Sequence, residues 1–93
     1  MKKNIAIIGS GFSSLSAACY LAKSGHKVTV YEKNDSLGGR ARQFKAKGFT
    51  FDMGPSWYWM PDVFEKFFDD FGKKVDDYYQ IKKLNPAYRV YFD

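Results

Sequence analysis

The feature that most constrains this chain is the placement of Gly9-Ser10-Gly11 between two kinds of pattern. Before it, Asn4-Ile5-Ala6-Ile7-Ile8 is a short, nearly continuous apolar run, which reads as a strand buried on both faces. After it, Leu15, Ala18, Cys19 and Ala22 recur at helical spacing from Ser13 to Ser24, and Gly25 supplies a stop. Lys27-Val28-Thr29-Val30-Tyr31-Glu32 is then a β-branched second strand ending in an acid. Strand, glycine turn, helix and strand predict a right-handed parallel βαβ crossover over residues 4–32.

At a strand-to-helix turn, glycines let the backbone bend sharply and come close to a phosphate. The helix start offers N–H groups and the positive end of its dipole. Gly9, Gly11, Phe12 and Ser13 are therefore candidate contacts to the pyrophosphate of a dinucleotide. The third glycine of the usual fingerprint is Ser14 here, so the helix must stand slightly farther from the strand or tuck the hydroxyl away. Glu32 lies 21 residues beyond Gly11, where a carboxylate accepts hydrogen bonds from adenosine ribose hydroxyls and repels a 2′-phosphate. Lys33 follows it. Leu37-Gly38-Gly39-Arg40 adds more donors and a cation, a second anion-binding loop close behind the first.

Beyond this loop, Gln43–Lys45 and Phe49–Phe51, separated by Lys47-Gly48, predict a hairpin. Pro61–Phe71 predicts a helix with proline at its first position, Gly72 after its end and a stripe of Phe64, Phe67, Phe68 and Phe71. The stripe reads as core. In the tail, Ile81 and Leu84, then Tyr88, Val90 and Phe92, alternate on either side of Asn85-Pro86 and predict strands. The expected fold class is thus α/β: a Rossmann-like βαβ unit, a small hairpin, a helix and the start of a second β region. Residues 1–56 form the dinucleotide-binding part and 57–93 an aromatic-rich second part.

Charge follows the same division. Residues 1–50 carry nine Lys/Arg against two acids, and residues 51–93 carry six against eight. Lys45, Lys47, Lys73, Lys74, Lys82 and Lys83 are scattered or paired in turns, without the Arg and aromatic interleaving of an RNA surface, so no nucleic-acid partner is expected. One cysteine, Cys19, excludes an internal disulfide and a cysteine-built zinc cage, which fits a cytoplasmic protein. Cys19 is expected as a small buried hydrophobe and His26 as a surface loop residue. No metal site is expected, and no run approaches the ~20 apolar residues that span a bilayer. Aromatic residues make up 19% of the chain, a large apolar load for 93 residues. Together with an ending in an apparent strand, this suggests a fragment whose remaining polypeptide is missing.

Gly9-Ser10-Gly11, Glu32, Gly38-Gly39-Arg40 and Gly48-Phe49-Thr50-Phe51-Asp52-Met53-Gly54-Pro55 resemble the N-terminus of bacterial-type phytoene desaturases, within the FAD-dependent amine oxidase-like superfamily. The resemblance runs over essentially all 93 residues and is most specific from Gly38 to Trp57, Ser56 included. It implies FAD as cofactor, held by the first glycines and the Gly38-Gly39-Arg40 loop, with Asp52, Gly54 and Pro55 leading toward the flavin. It also implies an oxidoreductase of carotenoid biosynthesis that takes a hydride from a hydrophobic polyene, with peripheral membrane access on the cytoplasmic face. No catalytic residue can be assigned, and the 93 residues alone are expected to be inactive. Trp57-Tyr58-Trp59-Met60 could touch such a substrate or a membrane, although core packing is the favoured role. An FAD-dependent amine oxidase-like enzyme acting on another substrate, and a non-catalytic dinucleotide-binding or interaction module, remain as alternatives.

Overall fold

A computed structural model describes residues 1–55 and 57–92. Ser56 of the desaturase-like stretch and the terminal Asp93 lie outside the described residues. The chain divides into two compact units, Met1–Tyr58 and Trp59–Asp93.

The first unit begins with strand β1 (Asn4–Ile8), helix α1 (Phe12–Lys23) and strand β2 (Lys27–Tyr31). β1 and β2 pair in parallel, from Asn4 opposite Lys27 to Ile8 opposite Tyr31, and α1 packs on both. This is the expected βαβ crossover. The strands are not buried on both faces, however. Ile5, Ile7, Val28 and Val30 are half-buried, whereas Asn4, Ala6, Thr29 and Tyr31 are exposed and Ile8 is 80% exposed. One helix covers only one face of a two-stranded sheet, so the period of two in a strand's side chains shows directly as alternating burial.

Helix α1 differs from expectation in phase. Its half-buried residues are Ser14, Leu15, Ser16, Ala18 and Leu21, while Cys19 and Ala22 are exposed. The buried arc is turned so that Ser14 faces the strand end, where a Cβ on Gly9 would meet Ser14 Oγ at 4.0 Å. Apolar spacing alone mispredicts this arc, because the glycine turn fixes where the helix starts and hence which side meets the sheet. Cys19 is therefore a surface thiol. Gly25 (φ 94°) ends the helix as expected, its N–H donating to the Ala22 carbonyl at 3.0 Å. His26 Nδ1 accepts the Lys3 N–H at 3.1 Å, tying the chain start to the β2 entry.

Strands β3 (Arg42–Ala46) and β4 (Phe49–Met53) form the hairpin, one or two residues longer at their outer ends than expected. Lys47 (φ 50°) and Gly48 (φ 81°) both take positive φ, the backbone that a tight two-residue hairpin turn requires. Phe44 and Phe51 face each other across the ladder and stack at 4.8 Å.

In the second unit, helix α2 (Pro61–Asp70) carries the phenylalanine stripe. Phe67 and Phe68 meet edge to face at 5.5 Å, Phe67 and Phe71 lie 5.0 Å apart, and Phe68 lies 5.1 Å from Tyr78. A 3-10 turn, Val75–Asp77, follows, and Val75 is buried. The stripe packs ring on ring but is only half-buried, short of the core read from the sequence, since Phe64, Phe67, Phe68 and Phe71 all keep partial exposure. The tail departs further. Residues 81–92 form no strand, because an alternating segment becomes one only when another strand satisfies its N–H and C=O groups. The expected second β region is thus not formed among the described residues. Trp57, Tyr58, Trp59 and Met60, favoured as core, are 50%, 42%, 68% and 60% exposed.

Candidate functional site

The site is built from three loops at the carboxyl ends of β1 and β2. Gly9 (φ 99°) turns the chain out of β1 and donates its N–H to the Tyr31 carbonyl at 2.7 Å, closing the top of the ladder. Gly11 caps α1 in an extended conformation, and no side chain caps the helix with a hydrogen bond. A Cβ on Gly11 would meet nothing within 4 Å, so the space over the helix start is open to a ligand. The first turn of any helix leaves N–H groups without intrahelical partners, and Phe12 and Ser13 occupy that turn here, both exposed.

The double-glycine loop docks on this turn. Gly11 and Gly38 form a parallel bridge, and the Gly38 N–H donates to the Ser10 carbonyl at 2.8 Å. At Gly39 (φ 62°) an added Cβ would stand 3.1 Å from Gly11 Cα, so two backbones touch where side chains would separate them. Gly38 (φ 108°) is held as tightly from the other side, since its Cβ would meet the Ala41 carbonyl oxygen at 2.4 Å. The third loop leaves β4 at Gly54 (φ 107°), where a Cβ would fall 1.9 Å from the Arg40 carbonyl oxygen. Gly54 is thus pressed against Arg40. Beside this junction is a cleft of about 480 Å³ lined by Asn34, Gly39, Arg40, Arg42, Met53 and Gly54.

Glu32 follows β2. Its Oε1 accepts both the N–H of Ser10, at 3.1 Å, and the Ser10 hydroxyl, and its Oε2 accepts the Asn34 N–H at 2.9 Å. The Ser10 hydroxyl, followed by the Asn34 N–H, holds the carboxyl below its ordinary value of 4.5. At neutral pH it is a carboxylate.

The structure therefore brings Gly9, Gly11, Gly38, Gly39, Arg40, Gly54 and Glu32 to one end of one unit. Lys33 and Pro55 are exposed beside them. Asp52 has a different position: it pairs across the hairpin with Gln43, whose amide donates to Oδ1 at 2.8 Å. Sequence reasoning missed Ser10 and Asn34 as parts of the site. Ser10 is only 1% exposed, and this burial could not be read from its position between two glycines. A larger cleft of about 700 Å³ in the second unit is lined by alternating charges, among them Asp62, Glu65, Lys66 and Lys73, and gathers none of these residues. No group of His, Cys, Asp or Glu among the described residues could hold a metal ion.

Residues 7–72 match the family model described as NAD(P)-binding Rossmann-like domain. The chain is 54% identical over 90 residues to a carotenoid 3,4-desaturase of Haloarcula japonica, and 49% identical over 89 residues to a 4,4'-diapophytoene desaturase (4,4'-diaponeurosporene-forming) of Staphylococcus aureus. These matches cover 97% and 96% of this chain, which spans 18% of the length of either relative. Among solved structures it is similar to a CLA-producing fatty acid isomerase from P. acnes (35% identity, TM-score 0.58) and to a putrescine oxidase (34% identity, TM-score 0.58). Each alignment covers 77% of this chain, against 18% of the isomerase and 16% of the oxidase.

Proposed function

We propose, starting from a chain that belongs to the NAD(P)-binding Rossmann-like domain family, that it is the FAD-binding part of an oxidoreductase that desaturates a carotenoid-type polyene. The observation that carries the reading is the docking of the Gly38-Gly39-Arg40 loop onto Gly11. A single glycine turn at a helix start suffices for the ADP half shared by NAD and FAD. The second loop sets another glycine turn and a basic residue next to the first, which supports a pyrophosphate served by two loops, as the resemblance to FAD-containing desaturases implies.

In this reading Gly9, Gly11, Phe12 and Ser13 receive the pyrophosphate at the start of α1, and Glu32 accepts the adenosine ribose hydroxyls. Lys33 and Arg40 add positive charge, and Gly54-Pro55 leads the chain toward the flavin. The bound flavin would supply the hydride acceptor for a carbon–carbon desaturation. The chain's own residues bind and orient it. The polyene substrate is supported by the two desaturase relatives. A hydrocarbon offers nothing to hydrogen-bond, so substrate entry from a membrane at its cytoplasmic face belongs to the same proposal. No helix among the described residues is long and apolar enough to cross a membrane, and the exposed Trp57, Tyr58, Trp59 and Met60 suit a peripheral contact.

The test is the visible spectrum of the protein made from the full reading frame, with mass analysis of whatever heat releases. Flavin bands and released FAD, followed by desaturation of a phytoene-like polyene, are the expected results. A colourless protein that binds NAD and cannot be loaded with FAD overturns the flavin reading. A flavoprotein that oxidises amines and leaves polyenes untouched overturns the substrate.

A further inference from the structure

The middle residue of the glycine turn, Ser10, is the most buried residue with a polar side chain among the described residues, at 1% exposure. A serine hydroxyl withdrawn this far from water must be matched by a protein partner. Its match is Glu32. The Ser10 N–H and hydroxyl both reach Oε1, while the Ser10 carbonyl accepts the Gly38 N–H. One residue therefore uses its amide and hydroxyl on the acid after β2 and its carbonyl on the second glycine loop.

We infer that Ser10 is a positioning and specificity-determining residue, which holds the Glu32 carboxylate in place for a ribose hydroxyl and fixes the Gly38-Gly39 loop against the same turn. The inference rests on the dinucleotide reading and deepens it. Two donors from Ser10 occupy Oε1, so a sugar hydroxyl has to be accepted at Oε2, which already takes the Asn34 N–H. A carboxylate free to rotate would present either oxygen, and would also swing aside for a 2′-phosphate. Tethered by Ser10, it stays as a fixed negative charge where that phosphate would lie. Ser10 touches no part of the ligand in this account and acts through Glu32 and Gly38.

The test is a double-mutant cycle in the full reading frame with Ser10→Ala, Glu32→Gln and both together, reading dissociation constants directly. FAD binding is followed by flavin fluorescence, and ribose recognition by competition with ADP and with adenosine 2′,5′-bisphosphate. Ser10→Ala should weaken FAD and ADP about tenfold, by loss of a hydrogen bond to a charged group, and narrow the preference for ADP over the 2′-phosphorylated probe. In the Glu32→Gln background the same change should cost less than half as much, because the two residues act as a unit. Ser10→Cys, which nearly keeps the volume and offers only a weak donor, should fall between serine and alanine. If Ser10→Ala binds as tightly as the parent, or if its loss is unchanged in the Glu32→Gln background, the inference is overturned. A parent protein that refuses FAD yet binds ADP with Ser10–Glu32 coupling intact would sink the flavin reading and leave this inference standing. Should Ser10→Ala fail to fold, Ser10→Cys in the same cycle decides between the outcomes.

Discussion

The two units of this chain are held together by different means. In Met1–Tyr58 the decisive contacts are backbone to backbone: the β1–β2 ladder, the Gly11–Gly38 bridge, and Gly54 pressed on Arg40. In Trp59–Asp93 they are rings on rings around Phe68, with Val75 the one buried apolar residue among those described. Backbone contacts at glycine tolerate almost no added atom, whereas partly exposed rings lose area gradually. A site that must hold a phosphate group to a fraction of an ångström belongs in a unit of the first kind.

The sharpest way to break the contrast is at Gly54. Gly54→Ala puts a methyl 1.9 Å from the Arg40 carbonyl oxygen at φ 107°, so the loop has to move. The expected loss is about 3–5 kcal/mol, seen as a lowered urea midpoint together with loss of bound dinucleotide. Gly48→Ala is its control, since at φ 81° with nothing within 4 Å it meets only the backbone cost of about 1–2 kcal/mol. If both variants behave alike, close backbone packing is not what holds this unit.

Next in size is Phe68→Ala in the second unit. Phe68 is half-buried and touches Phe67, Tyr78 and Tyr79, so about 2 kcal/mol of stability should be lost, below the range of a fully buried phenylalanine. Dinucleotide affinity should change less than twofold. A large loss of binding would show that the two units are energetically one.

A smaller effect is expected from pH. Glu32 is held below its ordinary value of 4.5, chiefly by the Ser10 hydroxyl, so its folded value is the lower one. Its contribution is therefore complete above the unfolded value and is lost as pH falls through the folded value. Urea midpoints and dinucleotide affinity should hold steady from pH 7 to about 5 and decline on further acidification. Glu32→Gln should remove the part of that decline that belongs to this carboxylate. The smallest effect is at the exposed Lys66–Asp70 pair of α2, 2.6 Å apart and one helical turn in spacing. Lys66→Ala should change stability by less than about 0.5 kcal/mol. A larger change would mean that the second unit depends on more than its rings.

Elements whose signals are local were legible before any coordinates. β1, α1 and β2 follow from apolar runs around Gly9 and Gly11, the hairpin from Lys47-Gly48, and α2 from Pro61 and Gly72. What failed is what depends on neighbours. Apolar spacing puts Cys19 on the wrong side of α1, apolarity alone puts Ile8 inside, and the alternation from Ile81 to Phe92 suggests strands that do not form among the described residues. Each error treats a residue type as if it carried its own surroundings.

For the site, the residue types and spacing named Gly9, Gly11, Glu32, Gly38, Gly39 and Arg40, because close backbone approach and a strand-end carboxylate each leave a recognisable letter, and only the family resemblance added Gly54. That these positions converge was decided by folding. Gly39 had to reach Gly11 across 28 residues of sequence, and Gly54 had to find the Arg40 carbonyl. Ser10 illustrates the limit most clearly. As a letter it is an ordinary small polar residue between two glycines. Only folding buries it, gives its hydroxyl Glu32 as partner, and couples the acid to the second glycine loop. Local backbone preference is written residue by residue, whereas burial and hydrogen-bond partnership exist only between segments that the fold has brought together.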